Sequence, residues 1–498
     1  MKPRNGISSD DVRKMWKYAV ETDFHAFNAV DTATENKLTL EYATAHRFIP
    51  FHHPLQESWS ITASINAPRN LLAIADKCNV DVYNLDTGER RVLSGHSSKV
   101  STLGFSPSDP DLLVSSSEGA MMAREEANGR DRYQIIIWNL SNLPEGLDNE
   151  SLDIDGVTAA GLRAVNEELG ATLTLTNEEE HEIRTALHKL IERFEAYHKV
   201  PASSRLNGRI NTSFQSPMFS NSGKHLIYLP GSRPHSNGDD TWDIALYSLQ
   251  DGTSTSLSGH RDAIMWIGFS PDDSLVASAG WDGTFRVHTV TGQEVWKWET
   301  DRQNWTGVFS PDGRYFAGTD GAGIIRVWDL KTGLETAKDD FGPGWCRMMD
   351  WSPNGRYLAV GGEEYGRIGL YAVTEGKLDR VQQRKLSLDK CLLDDIDMPT
   401  RRMMGHFLSV CSVKFLRSDS VGQHGTLLAH STLLDQGVEV FDFDTGRGWR
   451  FVPSCDEHDT SPPDAPQDRR AASTSWIWNE RTRDFGVISA DGVRFWQL

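Results

Sequence analysis

The chain has 498 residues, of which 42 are glycine and 16 are tryptophan, and its formal net charge at pH 7 is −19. This acidic balance argues against general binding to nucleic acids or to anionic membrane surfaces, because both depend on an excess of Lys and Arg. No apolar run reaches the length of a secretory signal or a membrane span, so we expect a soluble intracellular protein, cytoplasmic, nuclear or both.

The first 44 residues have the pattern of a helical extension. Ser9 is a suitable N-cap, Asp10 and Asp11 fit the first turn, and apolar residues up to Phe24 fall on one face. The sequence therefore predicts a helix over Ser9–Phe24. Its apolar stripe is expected to pack on the body of the protein, with a partner-binding helix as the alternative.

Residues 141–209 depart from strand patterning and predict a helical insertion. Thr176 begins a capping box that ends at Glu179, and apolar residues from Ile183 to Tyr197 then recur at helical spacing. The shorter stretch Val157–Leu169 has the same spacing. Two amphipathic helices in sequence suggest a hairpin, whose stripes serve core packing or, less commonly, docking.

Beyond the insertion, Leu257–Asp329 holds two copies of one unit with a period of about 40 residues. Each copy contains a Phe-Ser-Pro-Asp turn followed by alternating apolar residues and a second turn that carries an aspartate. This pattern predicts short antiparallel strands, four to a unit. A unit of this kind cannot bury its own apolar face, so the units must stack on one another, as the blades of a propeller do.

The landmarks of the unit recur along most of the chain. Gly-His pairs end at His96, His260 and His406, turn aspartates stand at Asp282 and Asp320, and a Trp-Asp pair begins at Trp328. These residues resemble the WD-repeat family over roughly 350 residues, counted by repeat positions. The resemblance implies an all-β fold, a WD-repeat β-propeller, with the helical insertion between its second and third blades. It also implies a buried structural network drawn from a His, a Ser or Thr, the turn Asp and the Trp, although the unit of His260 has His288 at the Trp position.

Aligning the units on their first strands predicts eight blades, with seven as the alternative if Ser213–Leu249 is not a full blade. The last unit, Thr474–Leu498, ends after its third strand. Arg47–His53 stands where a missing outer strand is required, so we expect the two termini to share one blade. Residues 45–498 would then form the propeller, and residues 1–44 would precede it.

The same resemblance suggests a binding surface. In the family, the start of the first strand and the residue before the turn aspartate lie near the top face, which commonly binds partners. In this chain Trp59 and Trp345 stand at the start of a first strand, and Trp281 precedes the turn aspartate. Two residues beyond a first-strand start are Met265, Trp305 and Arg347, which complete the predicted partner-binding set. Trp, Met and Arg are enriched at interface cores, although some of these side chains could instead pack between blades. A narrower version of the hypothesis is an aromatic cage for a methylated lysine, with Asp262, Asp282 or Glu363 as the carboxylate.

The sequence contains no recognisable catalytic motif and predicts no cofactor. Its five cysteines are scattered and never form Cys-x-x-Cys, so a disulfide framework or a zinc site is not expected, and no metal ligands are assigned. The most consistent function is a non-catalytic scaffold, monomeric by default, that binds protein or peptide partners on its top face. The alternative is an enzyme or small-ligand binder that uses the central channel.

Overall fold

A computed structural model shows an all-β protein. It describes residues 29–30, 37–38, 45–51, 61–117, 134–141, 202–210, 215–230, 242–342, 344–363, 366–384, 410–417, 427–432, 438–442, 447–451, 475–489 and 492–497. The predicted helices over Ser9–Phe24, Val157–Leu169 and Thr176–Lys199 lie outside these ranges. The end of the predicted helical insertion was wrong, since residues 202–209 form a strand that pairs on both sides. Within them, no helix is long and apolar enough to cross a membrane.

The strands follow in chain order. The first fourteen are β1 (Ala29–Val30), β2 (Lys37–Leu38), β3 (Ala45–Pro50), β4 (Ala63–Asn66), β5 (Leu71–Asp76), β6 (Asn79–Asn84), β7 (Arg90–Ser94), β8 (Val100–Phe105), β9 (Leu112–Ser117), β10 (Gln134–Asn139), β11 (Ala202–Arg209), β12 (His225–Pro230), β13 (Trp242–Ser248) and β14 (Ser254–His260). The next twelve are β15 (Ile264–Phe269), β16 (Leu275–Gly280), β17 (Thr284–Thr289), β18 (Glu294–Glu299), β19 (Asn304–Phe309), β20 (Tyr315–Asp320), β21 (Ile324–Asp329), β22 (Glu335–Asp340), β23 (Cys346–Trp351), β24 (Tyr357–Gly362), β25 (Ile368–Thr374) and β26 (Lys377–Arg384). The last seven are β27 (Val410–Phe415), β28 (Leu427–Thr432), β29 (Val438–Asp442), β30 (Arg447–Phe451), β31 (Ser475–Asn479), β32 (Asp484–Ser489) and β33 (Gly492–Gln497).

Apart from a short β1–β2 ribbon, the described strands form seven antiparallel sheets. Sheet one is β4–β7, sheet two β8–β14, sheet three β15–β18, sheet four β19–β22, sheet five β23–β26 and sheet six β27–β30. Sheet seven consists of β31–β33 with β3. Every sheet has four strands except sheet two, which has seven.

The first strand of each sheet packs on the first strand of a neighbour. Such contacts join β31 to β4, β4 to β8, β15 to β19, β19 to β23 and β23 to β27. First strands are therefore innermost, and the sheets fan outward from them as blades do. The all-β fold predicted from the repeat is confirmed, and its arrangement fits a β-propeller.

Serine side chains build the turns between first and second strands. Ser270 Oγ accepts a hydrogen bond from the Leu275 amide at 2.9 Å and donates one to Asp272 at 2.6 Å. Ser310 and Ser352 make the same pair of bonds in sheets four and five. The Phe-Ser-Pro-Asp motif thus satisfies its own polar groups and gives a compact turn.

These serine turns gather at one end of the sheets. Asp273 of sheet three accepts hydrogen bonds from the amides of Asn221 and Ser222, both at 2.7 Å. Asn66 of sheet one donates to the Pro110 carbonyl of sheet two at 2.6 Å. We call this the serine-turn end; the turns between second and third strands lie at the opposite end.

Sheet two is longer than the repeat predicts because β11 pairs on both sides. Its residues 202–207 pair with β10, whereas Gly208 and Arg209 pair with Pro230 and Leu229 of β12. A Cβ at Gly208 would lie 2.6 Å from the Leu229 carbonyl oxygen, so the approach requires glycine. In the unit expected to begin at Ser213, the described residues 215–220 show only an isolated bridge between Phe219 and Leu226.

Sheet seven joins residues from both ends of the sequence. β3 pairs with β33 in antiparallel register, with Ile49 opposite Val493 and Phe48 opposite Arg494. Ile49 and Phe51 are buried in a cluster that also contains Leu72 of sheet one. The N-terminal strand thus contributes to the packing between two sheets as well as to backbone pairing.

Replacing Ile49 by Ala should therefore destabilise the protein, by about 2 to 5 kcal/mol for a buried isoleucine truncation. The matched control is Phe48→Ala on the same strand, because Phe48 is 46% exposed and should cost much less. Thermal and urea unfolding of both variants measure the difference. If both variants lose the same free energy of unfolding, the burial of Ile49 on β3 does not stabilise the fold in the way predicted.

Candidate functional site

A buried network in sheet three joins its second turn to its strands. His260 Nε2 lies 2.8 Å from Ser278 Oγ, and His260 Nδ1 lies 3.1 Å from an Asp282 oxygen. Asp282 also accepts hydrogen bonds from the Arg261 amide and from the amide and hydroxyl of Thr284. Although burial opposes the charge, the bonds from His260, Arg261 and Thr284 hold the pKa of Asp282 well below its usual range.

This network contains the residue types of a hydrolytic triad but is structural. Both His260 and Ser278 are buried, so the Ser278 hydroxyl is not accessible to a substrate. The position that the family gives to Trp holds His288, whose Nε2 lies 3.2 Å from the Ser258 carbonyl. Thr284 was not predicted from the sequence, although its place two residues after the turn aspartate is a signal for such a cap.

Sheet two contains the His, the Ser and the Trp of the network that the family resemblance implies. Ser115 Oγ lies 2.7 Å from His96 Nε2 and accepts a 2.8 Å hydrogen bond from Trp138 Nε1. Burial, with a contribution from Arg205, lowers the pKa of His96 to about 4, so His96 is neutral at pH 7.

Three further residues were predicted to belong to the structural network: Asp320, Trp328 and His406. Asp320 is buried, accepts hydrogen bonds from the amides of Ala322 and Ile324, and has a carboxylate oxygen 3.6 Å from an Arg326 nitrogen. Trp328 is buried in an aromatic stack, 4.7 Å from the ring of Trp298. His406 lies outside the described residues.

The structure brings together four of the six residues predicted to bind partners. Trp305 lies between two other tryptophans, with ring centroids 5.5 Å from Trp281 and 4.8 Å from Trp345. The Arg347 guanidinium lies over Trp305 at 4.8 Å and over Trp345 at 4.6 Å. We call Trp281, Trp305, Trp345 and Arg347 the tryptophan cluster; it lies at the end opposite the serine turns and spans sheets three, four and five.

The members of the cluster differ in exposure. Trp345 is 41% exposed, Trp281 is half-buried and Trp305 is only 4% exposed, so Trp305 supports the cluster from beneath. Met265 is half-buried on β15, outside the ring contacts that define the cluster. Trp59 lies outside the described residues. The sequence placed Trp305 at the surface because repeat alignment locates a backbone position and not the packing of a large ring.

Glu363 forms an ion pair with Arg347, the cationic residue of the tryptophan cluster. Its carboxylate lies 2.9 Å from an Arg347 nitrogen, and burial raises the pKa of Glu363 despite that neighbouring charge. The guanidinium therefore already lies against the faces of both Trp305 and Trp345, at the place where a cation would bind to these rings. A methylated lysine would have to displace it, so the structure does not favour the cage hypothesis at this position.

A cleft of about 480 Å³ lies beside the cluster. Trp281 and Trp345 contribute indole surface to its wall, and Asp301, Arg302 and Gln303 contribute polar groups. Asp301 and Arg302 were not predicted as site residues; they lie three and two residues before β19, whereas Gln303 has the position that identified Trp345, directly before a first strand. A cleft with exposed indole and charges of both signs suits recognition of a peptide segment.

Side chains also occupy the inner edges of first strands. Gln215 Nε2 donates to the Val413 carbonyl of sheet six at 2.6 Å, and the Phe415 amide donates to Asp350 of sheet five, also at 2.6 Å. Burial raises the pKa of Asp350 to about 6, against that hydrogen bond and the charge of Lys414. The side chains of Gln215 and Asp350 thus form hydrogen bonds with backbone atoms of β27 that pairing within the sheet leaves free.

Among the described residues, no group of three or more His, Cys, Asp or Glu side chains is placed to hold a metal ion. Cys346 is buried, and burial raises the pKa of its thiol. This environment is that of a packing residue and not of a nucleophile.

Comparison with known proteins identifies relatives over part of the chain. Residues 88–121 and 252–289 match the family described as WD domain, G-beta repeat. Meiotic recombination protein rec14 of Schizosaccharomyces pombe is 27% identical over 156 residues, which is 28% of this chain and 47% of that protein. Small ribosomal subunit protein RACK1y of Oryza sativa is 30% identical over 143 residues, 27% of this chain and 40% of that one. Transcription initiation factor TFIID subunit 5 of Caenorhabditis elegans is 28% identical over 146 residues, 28% of this chain and 22% of the subunit. The chain thus spans less than half of the length of each of these relatives.

The neutral state of His96 predicts a pH dependence of stability. As the pH falls from 6.5 towards 4, the unfolded chain binds a proton at His96 that the folded chain does not, so stability falls. The pKa difference corresponds to a loss of up to about 3 kcal/mol. Urea unfolding at pH 7 and pH 4.5 measures it, with His96→Gln as the matched variant that lacks the titrating ring. The prediction is wrong if both proteins lose the same stability over this range.

Proposed function

Because the chain belongs to the WD-repeat family, we propose that it is a non-catalytic scaffold that binds a protein or peptide partner at the tryptophan cluster. The observation that carries this proposal is the exposure of Trp345, which is 41% exposed although it stands on a rigid stack of Arg347 and Trp305. Tryptophan is enriched among the residues that contribute most of the binding energy at protein interfaces.

The stack beneath Trp345 prepares it for binding. Arg347 lies against the Trp305 and Trp345 rings and pairs with Glu363, so the Trp345 ring loses little conformational freedom when a partner covers it. The cleft beside it offers Asp301 and Arg302 as polar contacts at the rim of an apolar centre. This combination of an aromatic anchor and a polar rim is typical of protein interfaces.

The scaffold itself is proposed to be an eight-bladed ring of residues 45–498. Six of the described sheets have four strands, and the seven-stranded sheet supplies two blades if β11 is shared between them. Pairing of β3 with β33 would close the ring and protect its last sheet edge. Residues 1–44 and 142–201 would then be additions to the ring, because β11 begins at Ala202, and the insertion is a candidate for a second docking element.

The alternative, an enzyme or a small-ligand binder of the central channel, is less well supported. The triad-like residues of sheet three are buried, and Asp350 is used as an acceptor by the Phe415 amide. Gln215 bonds to a strand of another sheet from the inner edge and so occupies space that a channel ligand would need.

The names of the relatives support a role inside the cell, since one is a ribosomal subunit protein and another is a transcription initiation factor subunit. We propose protein and not nucleic acid as the partner, because the net charge of −19 opposes contact with phosphates. A monomer that presents one tryptophan cluster is the expected state.

Trp345→Ala should weaken partner binding while the melting temperature stays nearly unchanged. Truncating an interface tryptophan costs about 2 to 4 kcal/mol, which is a loss of roughly thirtyfold or more in affinity. Quantitative affinity purification from cells that express the wild-type protein or the variant compares the partners retained by each.

The matched control is Phe48→Ala, which removes an equally exposed aromatic ring from sheet seven. Partners lost with Trp345→Ala but kept with Phe48→Ala are specific to the cluster. A partner set that is identical for all three proteins contradicts the proposal. Trp305→Ala should in contrast lower the melting temperature, because Trp305 is buried.

A further inference from the structure

A second cleft lies at the serine-turn end, between sheets four and five. It has a volume of about 430 Å³ and is bounded by the turn that begins at Ser310, the turn that begins at Ser352 and the residues around Glu375. Pro311, Pro353 and Trp351 provide apolar walls. Because the tryptophan cluster is at the opposite end of the same sheets, this cleft is independent of the proposed function.

The cleft contains a buried polar atom with no hydrogen-bond partner. Tyr315 is 5% exposed and lines the cleft, and its hydroxyl makes no hydrogen bond among the described residues. An unsatisfied hydroxyl in a buried position costs about 1 to 3 kcal/mol, so a water, an ion or a ligand group that donates to it stabilises the site.

The packing around Tyr315 fixes the position of this hydroxyl. A Cβ at Gly376 would lie 2.5 Å from the tyrosine ring, so the ring is pressed directly against the backbone of the next sheet. Thr336 holds that backbone by donating a hydrogen bond to the Gly376 carbonyl at 3.1 Å. The hydroxyl therefore cannot turn away to find a partner elsewhere.

Carboxylates outnumber cations around the hydroxyl. Burial raises the pKa of Tyr315, Arg314 lowers it, and the charges of Asp329, Asp312 and Glu375 raise it again. Arg314 is the cation nearest to the ring: its guanidinium carbon lies 4.9 Å from the Tyr315 ring centroid, and its Nε lies 3.4 Å from an Asp329 oxygen, which offsets its charge. Asp312 and Glu375 thus leave a negative potential at a site that also contains an unused acceptor.

We propose that this cleft binds a lysine side chain of a protein partner. The ammonium group would donate hydrogen bonds to the Tyr315 hydroxyl oxygen and to the Asp312 and Glu375 carboxylates. The aliphatic stem would pack on Pro311 and Pro353, as lysine stems commonly pack on apolar surface. A tyrosine oxygen and two carboxylates satisfy the three donors of an ammonium group.

The test uses the full-length protein and two short peptides. The first peptide is acetyl-Ala-Ala-Lys-Ala-Ala-amide, and the second has norleucine in place of lysine, which keeps the stem and removes the charge. Titration followed by saturation-transfer NMR should show binding of the lysine peptide in the millimolar range, as expected for one side chain, and at least tenfold weaker binding of the norleucine peptide. Equal binding of both peptides would overturn the proposal.

Three variants assign the binding to this cleft. Tyr315→Phe and Glu375→Gln should each weaken binding of the lysine peptide by about tenfold, the effect of losing a hydrogen bond to a charged group. Trp345→Ala at the opposite end is the matched control and should leave it unchanged. Unchanged binding in Tyr315→Phe would also overturn the proposal.

Thermal unfolding of Tyr315→Phe separates a ligand-binding hydroxyl from a structural one. Removing an unsatisfied buried hydroxyl should leave the melting temperature the same or raise it slightly. A fall of several degrees would show that the hydroxyl has a stabilising partner in the folded protein, and the proposal would be wrong.

Discussion

Packing of one sheet against the next is the constraint on which this fold depends. A four-stranded sheet has two apolar faces and cannot cover either by itself. Phe285 of sheet three lies 5.8 Å from Phe316 and 5.1 Å from Trp328, both in sheet four. Each sheet thus supplies half of a core to each neighbour, and β3, from near the start of the sequence, supplies the fourth strand of sheet seven.

The same constraint explains why glycine occurs inside these strands. A Cβ at Gly318 would lie 2.6 Å from the Phe285 ring, and one at Gly361 would lie 2.7 Å from the Val410 side chain. Glycine normally weakens a strand, but here it allows a large side chain of the adjacent sheet to approach the backbone. The volume lost at glycine is filled by aromatic and branched residues, so packing density is conserved across the seam.

Much of the fold followed from short-range patterns. Phe-Ser-Pro-Asp turns, alternating strands and the His260 and Asp282 pair are local signals, because turn and strand geometry depend on neighbouring residues. The seven-stranded sheet two was not predictable. It arises because β11 pairs with β12 at Gly208, and this long-range contact has no local signature in the sequence. The alignment also located Trp281, Trp305, Trp345 and Arg347, but not their exposure. Whether a tryptophan faces water is decided by rings from two other sheets, and no window of the sequence contains them.

At the tryptophan cluster, the binding surface proposed above, two charged side chains are used for internal bonds. Asp282 borders the cleft, but its carboxylate is committed to His260, Arg261 and Thr284, so its charge serves the turn. Arg347 is likewise committed, to Glu363 and to two rings. What remains for a partner is the outer face of Trp345 and the polar groups that precede first strands. Because these groups carry little of the internal bonding, their replacement can change which partner is bound without removing an interaction that holds the sheets together.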